Sequence, residues 1–491
     1  MTRRPFAATN TMGNGAGSRY NKGSPEDQDR KGTGEMDIKI VEAIEAIVGK
    51  ENVYSSIEER KSYSYDARLE GGIPDLVVFP ASAEQVSRIL VLANEHGFPV
   101  IPRGSGTGLT GGSIPVAGGV VLVFTRMNRI LEIDSENLIA VVEPGVVTFL
   151  LQEEVAKKGL FYPPDPASHK YSTLGGNVAE CAGGPNSLKY GVTRDYVIGL
   201  EVVLPTGEII ATGVRTMKGV VGYDLTRLFV GSEGTLGVVT KITLKLVPLP
   251  ETKATMLALF RDVEDAARTV SAIIAARIVP STMEFMDRAS IQCSEQASPM
   301  GWPTDTGGLL LIEVDGDKES VPSQAQKVRK IVLENNAMSC DVTQDPAEAD
   351  KLWYARRTLS QATYNLNPLK IAEDVVVPRS VIPKLIRALE EMEKKFGIPI
   401  LSYGHAGDGN FHVSIMIQDT PEYREKAEEA VKEIFTETIR LGGTLSGEHG
   451  VGLAKAPYIG MELSADAIGA MKRIKHVFDP NNILNPGKIF T

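Results

Sequence analysis

The sequence RGSGTGLTGGS at residues 103–113 decides the fold of this chain. It contains the spacing GxGxxG, which by itself is a weak signal for a dinucleotide-binding Rossmann domain. A Rossmann loop leads from a strand straight into a helix, whereas this loop leads through IPVAGG to a second apolar strand, VVLVF. The pattern therefore argues against a Rossmann domain. Because the loop offers glycine N–H groups and several hydroxyls, it is predicted to bind an anion such as a diphosphate, with a flexible surface linker as the alternative.

Two further glycine-rich segments follow along the chain. Residues 163–197 read PPDPASHKYSTLGGNVAECAGGPNSLKYGVTRDYV, with few side chains large enough to fill a core, and are interpreted as a cofactor-binding segment. Residues 231–239, GSEGTLGVV, join a predicted helix to a strand. A plain β-turn explains this third segment almost as well.

Three of the six histidines lie in two short stretches, HAGDGNFH at 405–412 and SGEHG at 446–450. The first stretch is flanked by the apolar runs IPILSYG and VSIMI, so a hairpin is predicted, and it would bring both imidazoles together. Gly407 and Gly409 would permit positive φ in its turn.

The residue types in these stretches suit a metal site. Two neutral imidazoles and one carboxylate are typical ligands of zinc or a similar divalent ion, and three ligands leave a position open for a substrate. The second stretch offers Glu448 as the carboxylate, and His449 remains free to move a proton. The alternative is that each histidine only satisfies the backbone of its turn.

The bulk composition excludes several classes of protein. The chain of 491 residues has a net charge of -10, which argues against a nucleic-acid surface. Its three cysteines are too widely spaced for a CxxC pair or an iron–sulfur cluster, which favours a reducing, cytoplasmic setting. No apolar run approaches the roughly 18 residues that span a bilayer, so any membrane contact is expected to be peripheral, at the inner face.

Strands and helices alternate along the chain, which predicts an α+β protein of more than one domain. Residues 1–36 lack an apolar segment and are predicted to form a disordered leader. The first domain is expected over residues 37–250, ending in the prolines of KLVPLP. Ferredoxin-like spacing over residues 251–454 predicts an antiparallel sheet with helices on one face. Residues 455–491 are expected to form a final helix and tail.

Six motifs together resemble one family of FAD enzymes. They are PRGSGTGLTGG, STLGGNVAECAGGPNSLKYGVTRDYV, GSEGTLGVV, HAGDGNFH, SGEHG and NPGKIF. In this order they resemble the vanillyl-alcohol oxidase type, in the branch of D-lactate dehydrogenases, glycolate oxidase flavoprotein subunits and D-2-hydroxyglutarate dehydrogenases. The resemblance covers residues 37–491. It implies a two-part FAD-binding domain of the vanillyl-alcohol oxidase and p-cresol methylhydroxylase type, a ferredoxin-like α+β cap domain over the substrate, and a C-terminal segment that returns to the FAD domain.

The resemblance also assigns residues to the FAD site, with the diphosphate in the first glycine loop. The assigned residues are Arg103, Gly104, Ser105, Gly106, Thr107, Gly108, Gly111, Gly112, Ser113, Pro164, Asp165, Thr173, Gly176, Asn177, Gly183, Gly184, Glu233 and Asn485. Relatives that tether the flavin covalently often carry a histidine in the first glycine loop, and this loop has none. Noncovalent FAD is therefore expected.

For the two histidine-containing stretches, the resemblance agrees with the interpretation from the residues themselves. It implies that His405, His412 and Glu448 are the metal ligands and that His449 is the catalytic base. Zinc is the expected ion, with manganese or iron as alternatives.

A substrate carboxylate needs cationic partners. Within LWYARRTLS, Arg356 and Ser360 share a helix face at i, i+4 spacing, and Lys370 follows in PLKIAEDVVVP. Similar family members use an arginine, a hydroxyl residue and a lysine here, which favours these three residues, with Arg356 preferred over Arg357. The alternative for each cation is a solvated helix face.

The implied function is FAD- and metal-dependent oxidation of a small D-2-hydroxy acid to the 2-oxo acid, with hydride transfer to flavin N5. D-lactate is the preferred substrate. Glycolate and D-2-hydroxyglutarate are the alternatives, since Val413 and Ser414 depart from residues that some glycolate and hydroxyglutarate types carry.

The chain lacks cluster ligands of its own, so it is expected to pass electrons to a separate acceptor. The candidates are an iron–sulfur subunit, an electron-transfer flavoprotein, a quinone and a cytochrome. A homodimer is one option for its assembly. Competing functions are an oxidase that uses oxygen, a non-redox flavin-dependent transferase on the same fold, and a noncatalytic flavin-binding module.

Overall fold

A computed structural model describes residues 36–67 and 71–490 of the chain. Of the leader predicted for residues 1–36, residues 1–35 lie outside the described part of the chain. The strands are β1 (Val53–Tyr54), β2 (Leu76–Val78), β3 (Val100–Arg103), β4 (Val120–Val123), β5 (Ile130–Asp134), β6 (Ile139–Val142), β7 (Leu160–Phe161), β8 (Val197–Val203), β9 (Ile209–Gly213), β10 (Val238–Lys245), β11 (Val247–Pro248), β12 (Thr252–Phe260), β13 (Thr282–Asp287), β14 (Gly308–Gly316), β15 (Ala337–Thr343), β16 (Leu369–Val376), β17 (Ile400–His405) and β18 (Asn410–Ile417).

The α-helices vary from one turn to five turns in length. They are α1 (Ile38–Val48), α2 (Ile57–Lys61), α3 (Ala83–His96), α4 (Thr148–Ala156), α5 (Leu174–Glu180), α6 (Ser187–Tyr190), α7 (Thr193–Tyr196), α8 (Leu225–Phe229), α9 (Val263–Ala275), α10 (Arg288–Ala297), α11 (Ser320–Glu334), α12 (Pro346–Ala362), α13 (Ile382–Phe396), α14 (Pro421–Arg440), α15 (Ile459–Glu462) and α16 (Ala465–Phe478). Within the described residues, none of these helices is long and apolar enough to cross a bilayer.

The first sheet has the strand order β1-β2-β4-β3 and carries the first glycine loop. β4 is parallel to both β2 and β3, so the loop leaves the carboxyl end of β3 and leads to the start of β4. Before β3 lies α3, where the Ser82 hydroxyl caps the first turn by accepting the Gln85 N–H. The strand-to-strand path of the loop confirms the prediction from the sequence.

The second sheet is antiparallel, with the order β5-β6-β10-β8-β9. Along β10, buried and half-buried residues alternate, as expected for a strand with one face on a core. That core includes side chains of α4 and α5. Since α5 lies within the second glycine-rich segment, the sheet holds this segment in place.

The third sheet is antiparallel and has the order β15-β12-β14-β13-β17-β18-β16. Helices pack on both of its faces, so the prediction of helices on one face is wrong. α9, α11, α13 and α14 contribute to the core on one side, and α10 and α12 to the core on the other. In β12, Ala258 and Phe260 face the first core while Leu257 and Leu259 face the second. A strand that is buried on both faces requires a covering layer on each.

The C-terminal tail lies beside the first sheet. Leu484 forms a parallel bridge with Val100, and the Asn485 N–H donates to the Val100 carbonyl at 2.8 Å. Lys488 is buried, and its ammonium donates to the Ile114 carbonyl at 2.6 Å. The tail therefore contacts the strand that enters the first glycine loop and the residue that follows the loop.

Candidate active site

One face of the seven-stranded sheet carries a row of polar side chains. His405 on β17 lies opposite Glu284 on β13, and His412 on β18 lies opposite Asp374 on β16. Tyr403, two residues before His405, also lies opposite His412. Directly opposed residues of antiparallel strands point to the same face, so the register collects all five side chains there.

The hairpin of β17 and β18 brings two imidazoles together, as predicted. The ring centroids of His405 and His412 lie 5.2 Å apart. In the turn, Gly409 has a φ of +85°, but Gly407 is not among the residues with positive φ, so that part of the prediction is wrong. Gly407 packs closely against Leu188 instead, because a Cβ there would lie 2.4 Å from Cδ2 of that side chain.

Glu448 completes a set of three candidate ligands. Its Oε1 lies 3.4 Å from Nε2 of His405 and 3.5 Å from Nε2 of His412. The candidate ligand atoms of the three residues all lie within 4.8 Å of one another. Two imidazoles and a carboxylate that converge in this way fit a divalent ion such as zinc. Gly183 leaves room for the carboxylate, since a Cβ there would lie 2.7 Å from Oε2 of Glu448.

Burial and neighbouring charges set the protonation of this ligand set. Burial, against the attraction of Glu448, lowers the pKa of His412 to about 3, so its ring is neutral at physiological pH. Burial also disfavours a charge on His405, but Glu284 and Glu448 outweigh it and raise the pKa of His405 well above its usual value. Burial would raise the pKa of Glu448, and His405 holds it below its usual value. A neutral imidazole and a carboxylate are the forms that bind metals, so His412 and Glu448 already have the binding form, whereas His405 must lose a proton when a metal binds.

Glu284 connects one candidate ligand to a cation. It is 1% exposed, and its Oε1 lies 2.5 Å from Nδ1 of His405, which leaves Nε2 of that ring toward Glu448. Its Oε2 lies 2.7 Å from Nη2 of Arg356. Burial opposes the carboxylate, but His405 and Arg356 prevail and lower the pKa of Glu284 to about 2. The contact with Arg356 is an ion pair without aligned hydrogen bonds, since Oε2 of Glu284 and the buried Nε of Arg356 both lack a hydrogen-bond partner among the described residues.

His449 stands next to His412 and a buried carboxylate. The two rings are stacked, with centroids 5.2 Å apart and planes 10° apart. Nδ1 of His449 lies 3.9 Å from Oδ2 of Asp374, and the His449 backbone N–H donates to that oxygen at 3.0 Å. Burial would raise the pKa of Asp374, but His449 and Lys455 hold it well below its usual value. An imidazole beside a fixed carboxylate is suited to general-base chemistry.

The three residues predicted to bind a substrate carboxylate fall into two groups. Arg356, on α12, lies beside the ligand set, with its guanidinium 5.0 Å from the centroid of the Tyr403 ring. Lys370, on β16, donates to the Ser360 hydroxyl at 2.8 Å. Lys370 and Asp374 are four residues apart on one strand and therefore point to the same face of the sheet. The Ser360–Lys370 pair thus lies on the sheet face that carries the polar row, and Ser360 is about one helical turn from Arg356 on α12.

A cleft lies between the glycine-rich segments. The predicted FAD residues that line it are Arg103, Gly104, Ser105, Gly106, Thr107, Gly108, Gly112, Ser113, Thr173, Gly176, Asn177 and Glu233. Glycine N–H groups, hydroxyls and an arginine that line one cleft fit the phosphates of a dinucleotide. Glu448 and His449 line the same cleft, so the ligand set and the base face it.

The other predicted FAD residues lie outside this lining. They are Gly111, Pro164, Asp165, Gly183, Gly184 and Asn485. Asn485 supports two loops from behind, because its Nδ2 donates to the carbonyls of Gly112 and Glu233, both at 2.8 Å. Asp165 accepts the Asn186 N–H at 3.0 Å, and burial raises its pKa well above the usual value.

Two residues of the site, Glu284 and Asp374, were not predicted from the sequence. Each is an acid within a strand that consists mainly of apolar residues, in TMEFMD and LKIAEDVV. Charged side chains are rarely buried unless they are paired, so such acids are a signal that could have identified them. The sequence pattern does not reveal their partners, because these come from other strands.

Two family models cover most of the chain. The FAD binding domain matches residues 74–213, and the C-terminal domain of FAD linked oxidases matches residues 249–489. The glycolate oxidase subunit GlcD of Bacillus subtilis (strain 168) is 50% identical over 454 residues, which is 92% of this chain and 96% of that protein. The chain belongs to the FAD-linked oxidase family. A D-lactate dehydrogenase of Anaerostipes hadrus is 37% identical to this FAD-linked oxidase over 425 residues, covering 85% of this chain and 89% of that protein.

The fold of this FAD-linked oxidase is also seen in p-cresol methylhydroxylase with substrate bound. That structure has a TM-score of 0.78 at 20% sequence identity, covering 93% of this chain and 98% of the other. The likeness confirms the predicted fold class, an FAD-binding domain of the vanillyl-alcohol oxidase and p-cresol methylhydroxylase type with an α+β second domain. The family membership makes the protein an FAD-dependent oxidoreductase.

Proposed function

We propose that this FAD-linked oxidase oxidises a small D-2-hydroxy acid to the 2-oxo acid, using noncovalently bound FAD and a divalent metal ion. The observation that carries the proposal is that Glu448 and His449 line the same cleft as the glycine loops. A substrate in that cleft would contact the base and the metal ligands on one side and FAD on the other. The names of two relatives, a glycolate oxidase subunit and a D-lactate dehydrogenase, support this substrate class.

The metal site is proposed at His405, His412 and Glu448. Support comes from the convergence of their ligand atoms within 4.8 Å and from the neutral state of His412. When bound there, a divalent ion such as zinc supplies a Lewis acid that lowers the pKa of a substrate hydroxyl. Bound FAD supplies the two-electron acceptor.

In this proposal, one proton must leave the substrate, and His449 is the base. His449 accepts it from the substrate hydroxyl, and the carboxylate of Asp374, 3.9 Å from Nδ1, stabilises the imidazolium that forms. Arg356 binds the substrate carboxylate, since its buried Nε has no hydrogen-bond partner within the described protein. Ser360 and Lys370 supply a hydroxyl and an ammonium further along the same face.

D-lactate and glycolate are the two leading substrates. The motifs favour D-lactate, whereas the 50% identity to a glycolate oxidase subunit favours glycolate. A separate electron acceptor, such as an iron–sulfur subunit, an electron-transfer flavoprotein or a quinone, is part of the proposal. Cys293 and Cys340 are free and lie in cores on opposite faces of the seven-stranded sheet, so these two thiols cannot hold a cluster together.

Anaerobic mixing of the purified holoenzyme with hydroxy acids tests the proposal. Glycolate, D-lactate, L-lactate and D-2-hydroxyglutarate are mixed separately while flavin absorbance is followed. We expect bleaching with glycolate or D-lactate, its loss after treatment with a chelator, and its return with zinc or manganese. If none of the four acids bleaches the flavin in the metal-loaded enzyme, the proposed function is wrong.

A further inference from the structure

We propose that Asp374 and Glu233 are positioning residues that clamp the loop carrying Glu448 and His449 from two sides. The loop, residues 446–452, runs between the seven-stranded sheet and the glycine-rich cleft. Asp374 belongs to the sheet, and Glu233 belongs to the third glycine-rich segment. The roles of Glu448 and His449 rest on the proposed function, whereas the clamp itself rests on the contacts of the backbone.

Asp374 holds the first part of the loop. Its Oδ2 accepts the backbone N–H groups of Gly447, Glu448 and His449 at 2.9, 2.9 and 3.0 Å. Its carboxylate is completely buried, and Oδ1 accepts the Asn410 side-chain amide at 2.5 Å. Three consecutive amides on one carboxylate oxygen leave the backbone at the ligand and the base little freedom.

Glu233 holds the next part of the loop from the opposite direction. Its Oε1 accepts the Val451 N–H and its Oε2 accepts the Gly452 N–H, each at 2.7 Å. Glu233 is 5% exposed and has a φ of +52°, a left-handed conformation that is strained for a residue with a side chain. A glycine would adopt this conformation more easily, but it would lack the carboxylate that accepts the two loop amides.

An alternative role for Asp374 is to bind a second metal ion together with His412 and His449, because its carboxylate lies near nitrogens of both residues. The surroundings argue for a clamp instead. Three amides and one side-chain amide already donate to the carboxylate, and the Lys455 ammonium lies 3.8 Å from Oδ2. A cation at this position would compete with all of these donors.

The clamp explains how a loop rich in glycine holds two functional side chains. Gly450 and Gly452 have φ values of +80° and +51°, so the backbone turns sharply between the two carboxylates. Without the carboxylates, such a loop would adopt many conformations. Asp374 accepts the backbone N–H groups of Glu448 and His449 themselves. Glu233 accepts only those of Val451 and Gly452, which follow. Loss of Asp374 is therefore expected to displace the ligand and the base more than loss of Glu233.

Hydrogen exchange of the FAD-loaded holoenzyme, followed by mass spectrometry, tests the clamp without reference to activity. We compare Asp374→Asn and Glu233→Gln with Glu313→Gln, which neutralises a buried carboxylate that binds the Trp353 indole on the same sheet face. A hydrogen bond to a charged group contributes roughly 1.5–3 kcal/mol, so peptides spanning 446–452 should exchange about tenfold faster or more in the two clamp variants. Glu313→Gln should leave these peptides unchanged.

Zinc affinity and flavin reduction separate a positioning role from general destabilisation. Asp374→Asn should lower zinc affinity by about tenfold or more, and at saturating zinc it should lower kcat with KM unchanged. Glu233→Gln should retain zinc affinity. If residues 446–452 exchange at the wild-type rate in Asp374→Asn, the proposed clamp is wrong. If Asp374→Asn fails to fold, Glu233→Gln provides the test, and wild-type exchange at residues 451–452 in that variant would contradict the clamp. Absence of hydroxy-acid oxidation by the wild type would contradict only the proposed function, since exchange still reports on the clamp.

Discussion

At the scale of single residues, Glu284 determines how His405 is presented. The carboxylate oxygen 2.5 Å from Nδ1 fixes the orientation of this ring, so that Nε2 faces Glu448. A carboxylate that binds the second nitrogen of a metal-binding histidine both orients the ring and increases its basicity. The other oxygen of Glu284 lies 2.7 Å from Arg356, which links the proposed metal site to the proposed carboxylate site.

The Glu284→Gln variant is therefore expected to lose metal affinity. Glutamine can still accept a hydrogen bond from His405, but it provides no charge for His405 or Arg356. Metal affinity should fall about 10- to 100-fold, the usual effect of removing such a partner. Competition with a chelator for zinc measures this change. A fall of the same size in Glu313→Gln would mean that general destabilisation is the cause.

The His449→Ala variant tests the proposed base. Loss of a general base typically lowers the rate by about 10²- to 10⁴-fold, while FAD absorbance and metal content should stay as in the wild type. Stopped-flow measurement of anaerobic flavin reduction gives the rate. His96→Ala is the control, because His96 is exposed at the C-terminal end of α3. Reduction of His449→Ala at the wild-type rate would exclude His449 as the base.

Some of this site could be predicted from residue types and spacing, and some could not. His405 and His412 are joined by a single hairpin, so the strand–turn–strand pattern was sufficient to bring them together. Glu284 comes from a strand more than a hundred residues earlier, and its partners follow from the order of strands in the sheet. Local periodicity carries no information about that order.

At the scale of elements, the turn between β17 and β18 determines the separation of the two imidazoles. Gly409 has a φ of +85°, and a Cβ on it would lie 2.0 Å from the Val377 carbonyl oxygen. Gly442 has a similar φ of +79°, but a Cβ there would meet no atom of the described part of the chain within 4 Å. The two glycines therefore separate the effect of backbone conformation from the effect of a steric clash.

The Gly409→Ala variant should destabilise the protein more than Gly442→Ala. Left-handed backbone conformation alone is expected to cost each variant about 1 kcal/mol of unfolding free energy. The clash with a fixed carbonyl should add about 1–3 kcal/mol in Gly409→Ala. Urea unfolding followed by circular dichroism measures both values. Equal losses in the two variants would show that the turn relaxes and that the close approach to Val377 is unimportant.

The helices of the second half illustrate what periodicity can predict about elements. In α13, the buried residues recur at three- and four-residue spacing, at Ile382, Leu385, Ile386, Leu389 and Met392. Amphipathic helices carry this information in their own sequence. The helical layer on the second face of the sheet was missed, because a continuous apolar run such as TMLALF is compatible with several kinds of buried strand.

At the scale of the whole molecule, the two ends of the site come from distant parts of the chain. The tail pairs with β3 through Leu484 and Val100, and the Ile489 N–H donates to the Gly452 carbonyl at 3.0 Å. The tail thus contacts both the first glycine loop and the loop that carries the proposed base. Pattern alone did not predict this return, and only the resemblance to the family implied it. The predicted domain boundaries near residues 250 and 454 stay predictions.

The buried Lys488 is expected to make the free energy of unfolding depend on pH. Burial, against the attraction of Glu233 and Asp66, lowers its pKa to about 8 in the folded protein, from 10.5 for an ordinary lysine. Because the pKa of Lys488 is lower in the folded state than in the unfolded state, the charged ammonium lowers the free energy of unfolding. This loss disappears as pH rises from about 8 to 10.5. Relative to Lys488→Met, the wild type should therefore gain about 2 kcal/mol of unfolding free energy between about pH 7 and pH 9.5.

Urea titrations at a fixed excess of FAD measure this gain. Lys157→Met is the control, since Lys157 is fully exposed and Glu154 raises its pKa, so no such gain is expected. A wild-type and Lys488→Met difference that stays constant with pH would show that Lys488 is solvated and that the tail does not close over it.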